Sequence, residues 1–456
     1  MAKRARQFSL VLTALLAMAS SMTAANAATT EIISPRGLRI WLAEDHGTPV
    51  VTLGFRFAGG SSQDPPGKEG LARIAAEMFF QGGGSLSADD YIGRWNQLGA
   101  EINIEARLES VRGTVKVVSQ DRDKAMDLLA LAVNEPRFDA GSLEQVRGQA
   151  ASAIESDADD PEAAAYRVYD SLAFGSHPRA RPVAGTQDSI RTIAPSDVAA
   201  FRRKVMVRGG LYLSAAGDIT PAELGPLADR IFAGLPAQGQ INPVAAPMIA
   251  PAVRRDLPMR SEQAQVAFGL ALPDLTPREQ LAAELVNYTL GGSAFTSRLY
   301  HQIREQRGLA YSIGTSLDRY SFMAELSGSL GSAPDTVEET VALVRQEFDR
   351  LNDHPPTGDE IAEAKAALSG QYLRGIIKQT DMADELTLRM SEGADTDAIE
   401  SYANRFATIT PDEVRALATR IHWSRRLVVV TAGAPAAAPD KQAASAKLQT
   451  PPAREP

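Results

Sequence analysis

The clearest hydrophobic period lies at 276–290. Leu281, Leu285, Val286 and Leu290 recur at helical spacing and place one apolar face on a helix. Thr276 is positioned to cap it, Pro277 suits its first turn, and Glu279 stands three residues after the cap. Gly291 and Gly292 are expected to stop it. A second helix is expected over 295–306, with Gly308 just past its end. Leu309, Ala310, Tyr311, Ser312 and Ile313 then alternate as a strand does. Arg304 therefore falls in the last turn of a helix, and Tyr311 at the start of a strand beyond a glycine turn. Arg298 lies in the same helix, outside that pair.

The first half carries a matching pattern. Leu71, Ile74, Ala75, Met78 and Phe79 follow the i, i+3, i+4, i+7, i+8 rule and predict one buried helix face. Arg73 and Glu77 fall on the opposite face, four apart, the spacing of an ion pair worth a few tenths of a kcal/mol when exposed. Apolar strands at 50–57 and 264–271 precede the two core helices. Residues 192–198 match 408–414, an offset of 216 residues, and the same offset carries Leu211 to Leu427, Ala216 to Ala432 and Gly217 to Gly433. The chain thus reads as a duplication: two related α+β domains, 28–235 and 252–434, each a largely antiparallel sheet packed with helices. Residues 236–251, rich in Pro, Ala and Gln, read as the linker, and 435–456 as a disordered tail.

Residues 1–27 read as a secretory signal: Lys3, Arg4 and Arg6, an apolar run at 10–18, and Ala25-Asn26-Ala27 as the cleavage site. The protein is expected to be exported, and periplasmic in a Gram-negative source. No later stretch approaches eighteen apolar residues, so no membrane span is expected. Removing the signal takes the formal charge from −9 to −12, which argues against nucleic acid and anionic membranes as partners. The chain has no cysteine, which excludes thiol nucleophiles and thiolate metal sites.

Several local motifs stand at set spacings along the chain: Gly291-Gly292, Ser297-Arg298-Leu299, Arg304-Glu305 and Gly308-Leu309-Ala310-Tyr311 in the second half; Ala58-Gly59-Gly60-Ser61-Ser62, Gly70-Leu71-Ala72, Phe174-Gly175-Ser176-His177-Pro178 and 181–186 in the first. This spaced set resembles the insulinase/pitrilysin/mitochondrial-processing-peptidase family of zinc peptidases. The resemblance implies a clamshell half in which Arg304 and Tyr311 reach substrate and stabilise the oxyanion. On the residues alone, Arg304 reads as a cation at a helix C-terminus and Tyr311 as a core aromatic. The sequence departs from the family at its metal motif. Where active members carry H-x-x-E-H, this chain has Arg73, Ala76 and Glu77 at the three functional positions, and the third ligand position falls near Ser152 or Ala153. His46, His177, His301, His354 and His422 show no pair at metal spacing. Neither glycine cluster is followed by the Lys-Ser/Thr of a phosphate loop, and the acidic run 155–162 fits a junction between helices better than a calcium loop. The resemblance implies no cofactor in this chain, zinc in a homologous H-x-x-E-H-bearing partner, and unfolded or extended peptides as ligands. The alternative is a non-enzymatic peptide-binding or structural relative.

Overall fold

The two apolar runs become the central strands of two sheets. A computed structural model describes residues 28–272 and 275–434; the expected signal and tail lie outside them. The first sheet has six strands: β1 (Thr30–Ile33), β2 (Arg39–Glu44), β3 (Val50–Ala58), β4 (Glu101–Ala106), β5 (Ser110–Val118) and β6 (Leu211–Gly217), in the order β1-β2-β6-β3-β5-β4. The second has β7 (Val253–Pro258), β8 (Ala264–Leu272), β9 (Ala310–Tyr320), β10 (Met323–Ser332) and β11 (Val428–Ala434), in the order β7-β11-β8-β10-β9. Without β1 the two orders are identical. Each sheet has one parallel pair, β2 with β6 and β7 with β11, and antiparallel pairs elsewhere. The architecture is α+β and duplicated, as the offset in the sequence requires.

Local chemistry repeats as well. The Pro195–Val205 helix starts with the Asp197 carboxylate accepting from the Ala194 N–H at 2.8 Å, and the Pro411–Arg420 helix with Glu413 accepting from the Thr410 N–H at 2.7 Å. Each helix leads into the central parallel strand, β6 or β11. One face of each sheet buries Phe55, Phe57 and Phe232 in the first half, and Phe268, Phe348 and Trp423 in the second.

The opposite faces are covered by exchange. The Pro161–Phe174 helix belongs by sequence to the first half, yet packs Ala165, Tyr169 and Ala173 on Ala267, Ala271 and Val430 of the second sheet. Its counterpart one repeat later, Gln379–Ser391, packs Ala383, Leu386 and Met390 on Trp41, Ala43 and Ala216 of the first sheet. Both helices rest on a glycine of the central antiparallel strand. A Cβ on Gly54 would come within 2.8 Å of the Ala383 carbonyl, and one on Gly269 within 2.5 Å of the Tyr169 hydroxyl. Ser214 Oγ donates to that Ala383 carbonyl at 2.6 Å. Residues 236–251 form neither helix nor strand and run along the surface. Their backbone is held at Asn242, which exchanges two hydrogen bonds with the Gln63 amide at 2.8 and 3.0 Å.

Candidate functional site

The helix at the degenerate metal motif runs from Leu71 to Glu77, then tightens to a 3₁₀ turn at Met78–Phe80. Asp64 anchors its start, accepting from the Gly70 and Ala72 N–H groups at 3.0 Å each. Burial pushes the Asp64 carboxyl up to about 7. Leu71, Ile74, Ala75, Met78 and Phe79 are all buried, as the spacing predicts. Arg73 Nε donates to Glu77 Oε1 at 2.8 Å, the expected i, i+4 pair, with both side chains about one-third exposed. Ala76 is 1% exposed.

These residues do not fit zinc. A guanidinium stands at one ligand position and neutralises the carboxylate at the other, and the position between them offers a methyl group where proton transfer needs a base. Ser152, on the neighbouring Ala140–Ser156 helix, is exposed and no stronger ligand. Among the described residues no three His, Asp or Glu side chains gather to hold a metal ion. His301 is satisfied locally by the Glu305 carboxylate at 2.6 Å and the Gln306 amide.

The second candidate is the corner at Arg304 and Tyr311. The capping box forms as predicted: the Glu279 carboxylate accepts from the Thr276 N–H at 2.9 Å, and the Thr276 hydroxyl from the Glu279 N–H at 3.3 Å. The Pro277–Asn287 helix widens into a π-turn, Tyr288–Gly292, and its winding ends at the two glycines, with Ser293 already extended. The expected helix over 295–306 is corrected. Residues 294–296 form a turn in which the Ser293 hydroxyl accepts from the Thr296 N–H at 3.3 Å, helical winding begins at Arg298, and Tyr300–Glu305 is π-wound. π-turns shift the facing of every later side chain and concentrate at functional sites. Gly308, at φ 65°, then reverses the chain, and the Leu309 N–H donates back to the Ile303 carbonyl at 2.9 Å.

Tyr311 is the extra residue of a β-bulge. Ala310 pairs with Ser332 and Ser312 with Gly331, so Tyr311 has no residue opposite it. A bulge re-aims a side chain, and Tyr311 is 61% exposed rather than in the core. Ser332 Oγ locks the bulge by donating to the Leu309 carbonyl at 2.6 Å. Arg304 is also exposed, its guanidinium 5.3 Å from the centre of the Tyr300 ring. Among the described residues neither Arg304 nor Tyr311 makes a side-chain hydrogen bond. Two strong donors are therefore presented free at one helix-to-strand corner. Arg298 differs: its fork binds Glu360 at 2.8 and 2.7 Å and it donates to the His354 carbonyl at 2.7 Å. Sequence reasoning missed this anchoring, because Glu360 lies 62 residues away.

A cavity of about 800 Å³ opens beside the edge strand β4. Phe80, Trp95 and Asn103 line it, and Asp384 of the exchanged Gln379–Ser391 helix closes one side through its ion pairs with Arg56 and Arg112.

Residues 39–187 match the family described as Insulinase (Peptidase family M16), and residues 192–368 the one described as Peptidase M16 inactive domain. An uncharacterized zinc protease of Streptomyces coelicolor is 25% identical over 394 residues, 84% of this chain and 85% of that protein. A non-peptidase homolog of Helicobacter pylori is 26% identical over 349 residues, 76% of this chain and 80% of that protein. The crystal structure of a peptidase M16 inactive domain from Pseudomonas fluorescens superposes with a TM-score of 0.84 at 23% identity, covering 90% of this chain and 98% of that one. A Helicobacter pylori protease superposes at 0.78 with 16% identity, covering 88% of this chain and 98% of that one. At these identities the two structures show the fold alone. The sequence matches fall on both halves in chain order, across the altered metal helix and the Arg304 corner alike, and the chain belongs to the insulinase peptidase family, M16, as a member without the H-x-x-E-H residues.

Proposed function

We propose that this chain is the exported, zincless subunit of a heteromeric metallopeptidase, lending Arg304 and Tyr311 to the hydrolytic centre of a homologous H-x-x-E-H-bearing chain. One observation carries the reading: both side chains are exposed and without hydrogen bonds at a bulged corner, while the metal helix is closed by its own ion pair. A core aromatic at position 311 would need neither the bulge nor the exposure. The Arg304 fork and the Tyr311 hydroxyl hold a peptide carbonyl by hydrogen bonds that strengthen as charge develops on its oxygen. Extended peptide docks along a sheet edge, and Tyr311 lies at the start of β9, the edge strand of the second sheet.

The test is reconstitution with an H-x-x-E-H chain and a quenched peptide. Tyr311→Phe and Arg304→Ala each lower turnover by about 10²–10³ while the complex still assembles. Arg304→Lys rescues poorly, since a point charge does not reproduce a planar fork. Near-normal turnover by both variants in an assembled complex overturns the reading in favour of a non-enzymatic peptide-binding relative.

A further inference from the structure

The Arg304 corner carries more than two donors. Phe295 is 73% exposed in the turn that the Ser293 and Thr296 hydroxyls close at 2.8 Å. Its ring meets Tyr300 edge-on, with centroids 5.6 Å apart and planes at 75°. Tyr300 in turn lies under the Arg304 guanidinium. The three side chains form a row: an exposed ring, a half-buried ring and a cation. A guanidinium attracted to a ring face keeps its N–H groups free along its edge, so Tyr300 narrows the positions Arg304 takes without consuming its donors. Phe295 steadies Tyr300 with one edge and leaves the rest of its ring to solvent. An exposed aromatic packed on a second ring, beside donors unpartnered among the described residues, is the composition of a peptide contact, in which apolar burial adds affinity and polar groups fix register.

We infer that Tyr300 is a positioning residue for Arg304, and that Phe295 is a specificity contact selecting a large apolar side chain, aromatic above all, in an extended peptide. The inference rests on Arg304 and Tyr311 acting as substrate donors. The two centroid spacings place Phe295 within about 11 Å of the guanidinium, or about three residues of a strand at ~3.4 Å each. The selected side chain therefore lies within three residues of the carbonyl that Arg304 grips.

Fluorescence anisotropy on the intact chain, with labelled uncharged peptides differing only by Phe, Ala or Asn at one position, tests this. The wild-type chain binds the Phe peptide about tenfold more tightly than the Ala peptide, from burial of one aromatic ring. Phe295→Ala removes that preference, and because it also loosens Tyr300 it weakens the Ala peptide by no more than Tyr300→Leu does. Tyr300→Leu weakens all the peptides together, by about 2–10-fold, and Tyr300→Phe restores them because the ring face is kept. Melting temperature monitors folding of each variant. An unchanged preference in Phe295→Ala, equal affinities for Tyr300→Leu and Tyr300→Phe, or no binding up to millimolar peptide each overturns the inference. If peptides bind and Arg304→Ala slows turnover of the reconstituted complex, such a result leaves the subunit reading standing. If Arg304→Ala changes neither affinity nor turnover, the subunit reading fails too.

Discussion

Three arginines within ten residues show how context divides one side-chain chemistry. Arg298 spends its donors on Glu360 and two backbone carbonyls, and its side chain is only 14% exposed. Arg307 donates to the Gln302 carbonyl on the exposed surface. Arg304 keeps its donors free among the described residues. The spacing of the sequence makes Arg298 a bystander; the structure makes it an anchor. Arg298→Ala leaves Glu360 without its fork partner and costs about 1–2 kcal/mol, read as a lower denaturation midpoint. Arg307→Ala shifts neither stability nor turnover and is the matched control for Arg304→Ala. An Arg307→Ala variant as slow as Arg304→Ala would mean that the corner acts through bulk charge.

Among the elements, the two exchanged helices depend on the absence of a side chain beneath them. Gly54→Ala and Gly269→Ala put a Cβ against packed backbone or a buried hydroxyl. Each is expected to cost about 1–3 kcal/mol by lifting a helix from its sheet. Gly148→Ala is the counter-case. Gly148 is exposed inside the Ala140–Ser156 helix, and a Cβ there meets nothing within 4 Å. That substitution stabilises by up to about 1 kcal/mol, since alanine has the better helix propensity. Urea midpoints measured side by side read the opposite signs. If Gly54→Ala and Gly148→Ala moved the same way, the close approach would not be limiting.

Across the whole molecule, the exchange joins the halves through buried charge. Glu325 of β10 is fully buried, accepting from Tyr169 at 3.1 Å and from Arg179 at 2.9 and 3.2 Å. Arg179 also pairs with Asp170 at 2.9 Å, and Asp318 and Tyr320 stand close enough to feel the cluster. Burial pushes the Glu325 carboxyl up to about 7 and Asp170 to about 6, although Arg179 pulls both down. A carboxyl raised in the folded state binds its proton more tightly there than in the unfolded chain. Its contribution to stability is therefore present at low pH and lost as pH rises from its ordinary value of 4.5 through about 7. Glu325→Gln is expected to flatten that fall in melting temperature, and an unchanged slope would exclude Glu325 as its source. Arg179→Ala leaves the buried Glu325 and the half-buried Asp170 without their cation and costs about 3–5 kcal/mol.

Period, caps and repeat were legible without coordinates, because each depends on residues a few positions apart or on a fixed offset. The buried stripe from Leu71 to Phe79, the Thr276 capping box, the Arg73–Glu77 pair and the doubling at 216 residues all follow from such local rules. The loss of the metal motif was equally plain, since it needs only the identities at positions 73, 76 and 77. The π-turns, the bulge at Tyr311 and the exchange of helices were not legible. A π-turn has the same hydrophobic pattern as an α-turn over one or two residues, and a bulge exists only against the partner strand that sets its register. Which sheet a helix covers is decided by complementary faces more than one hundred residues apart, as between Tyr169 and Glu325. The sequence alone determined that the fold is doubled and that the H-x-x-E-H residues are absent. Only the tertiary structure decided that Arg304 and Tyr311 stand free, because freedom is a matter of what every other residue leaves uncovered.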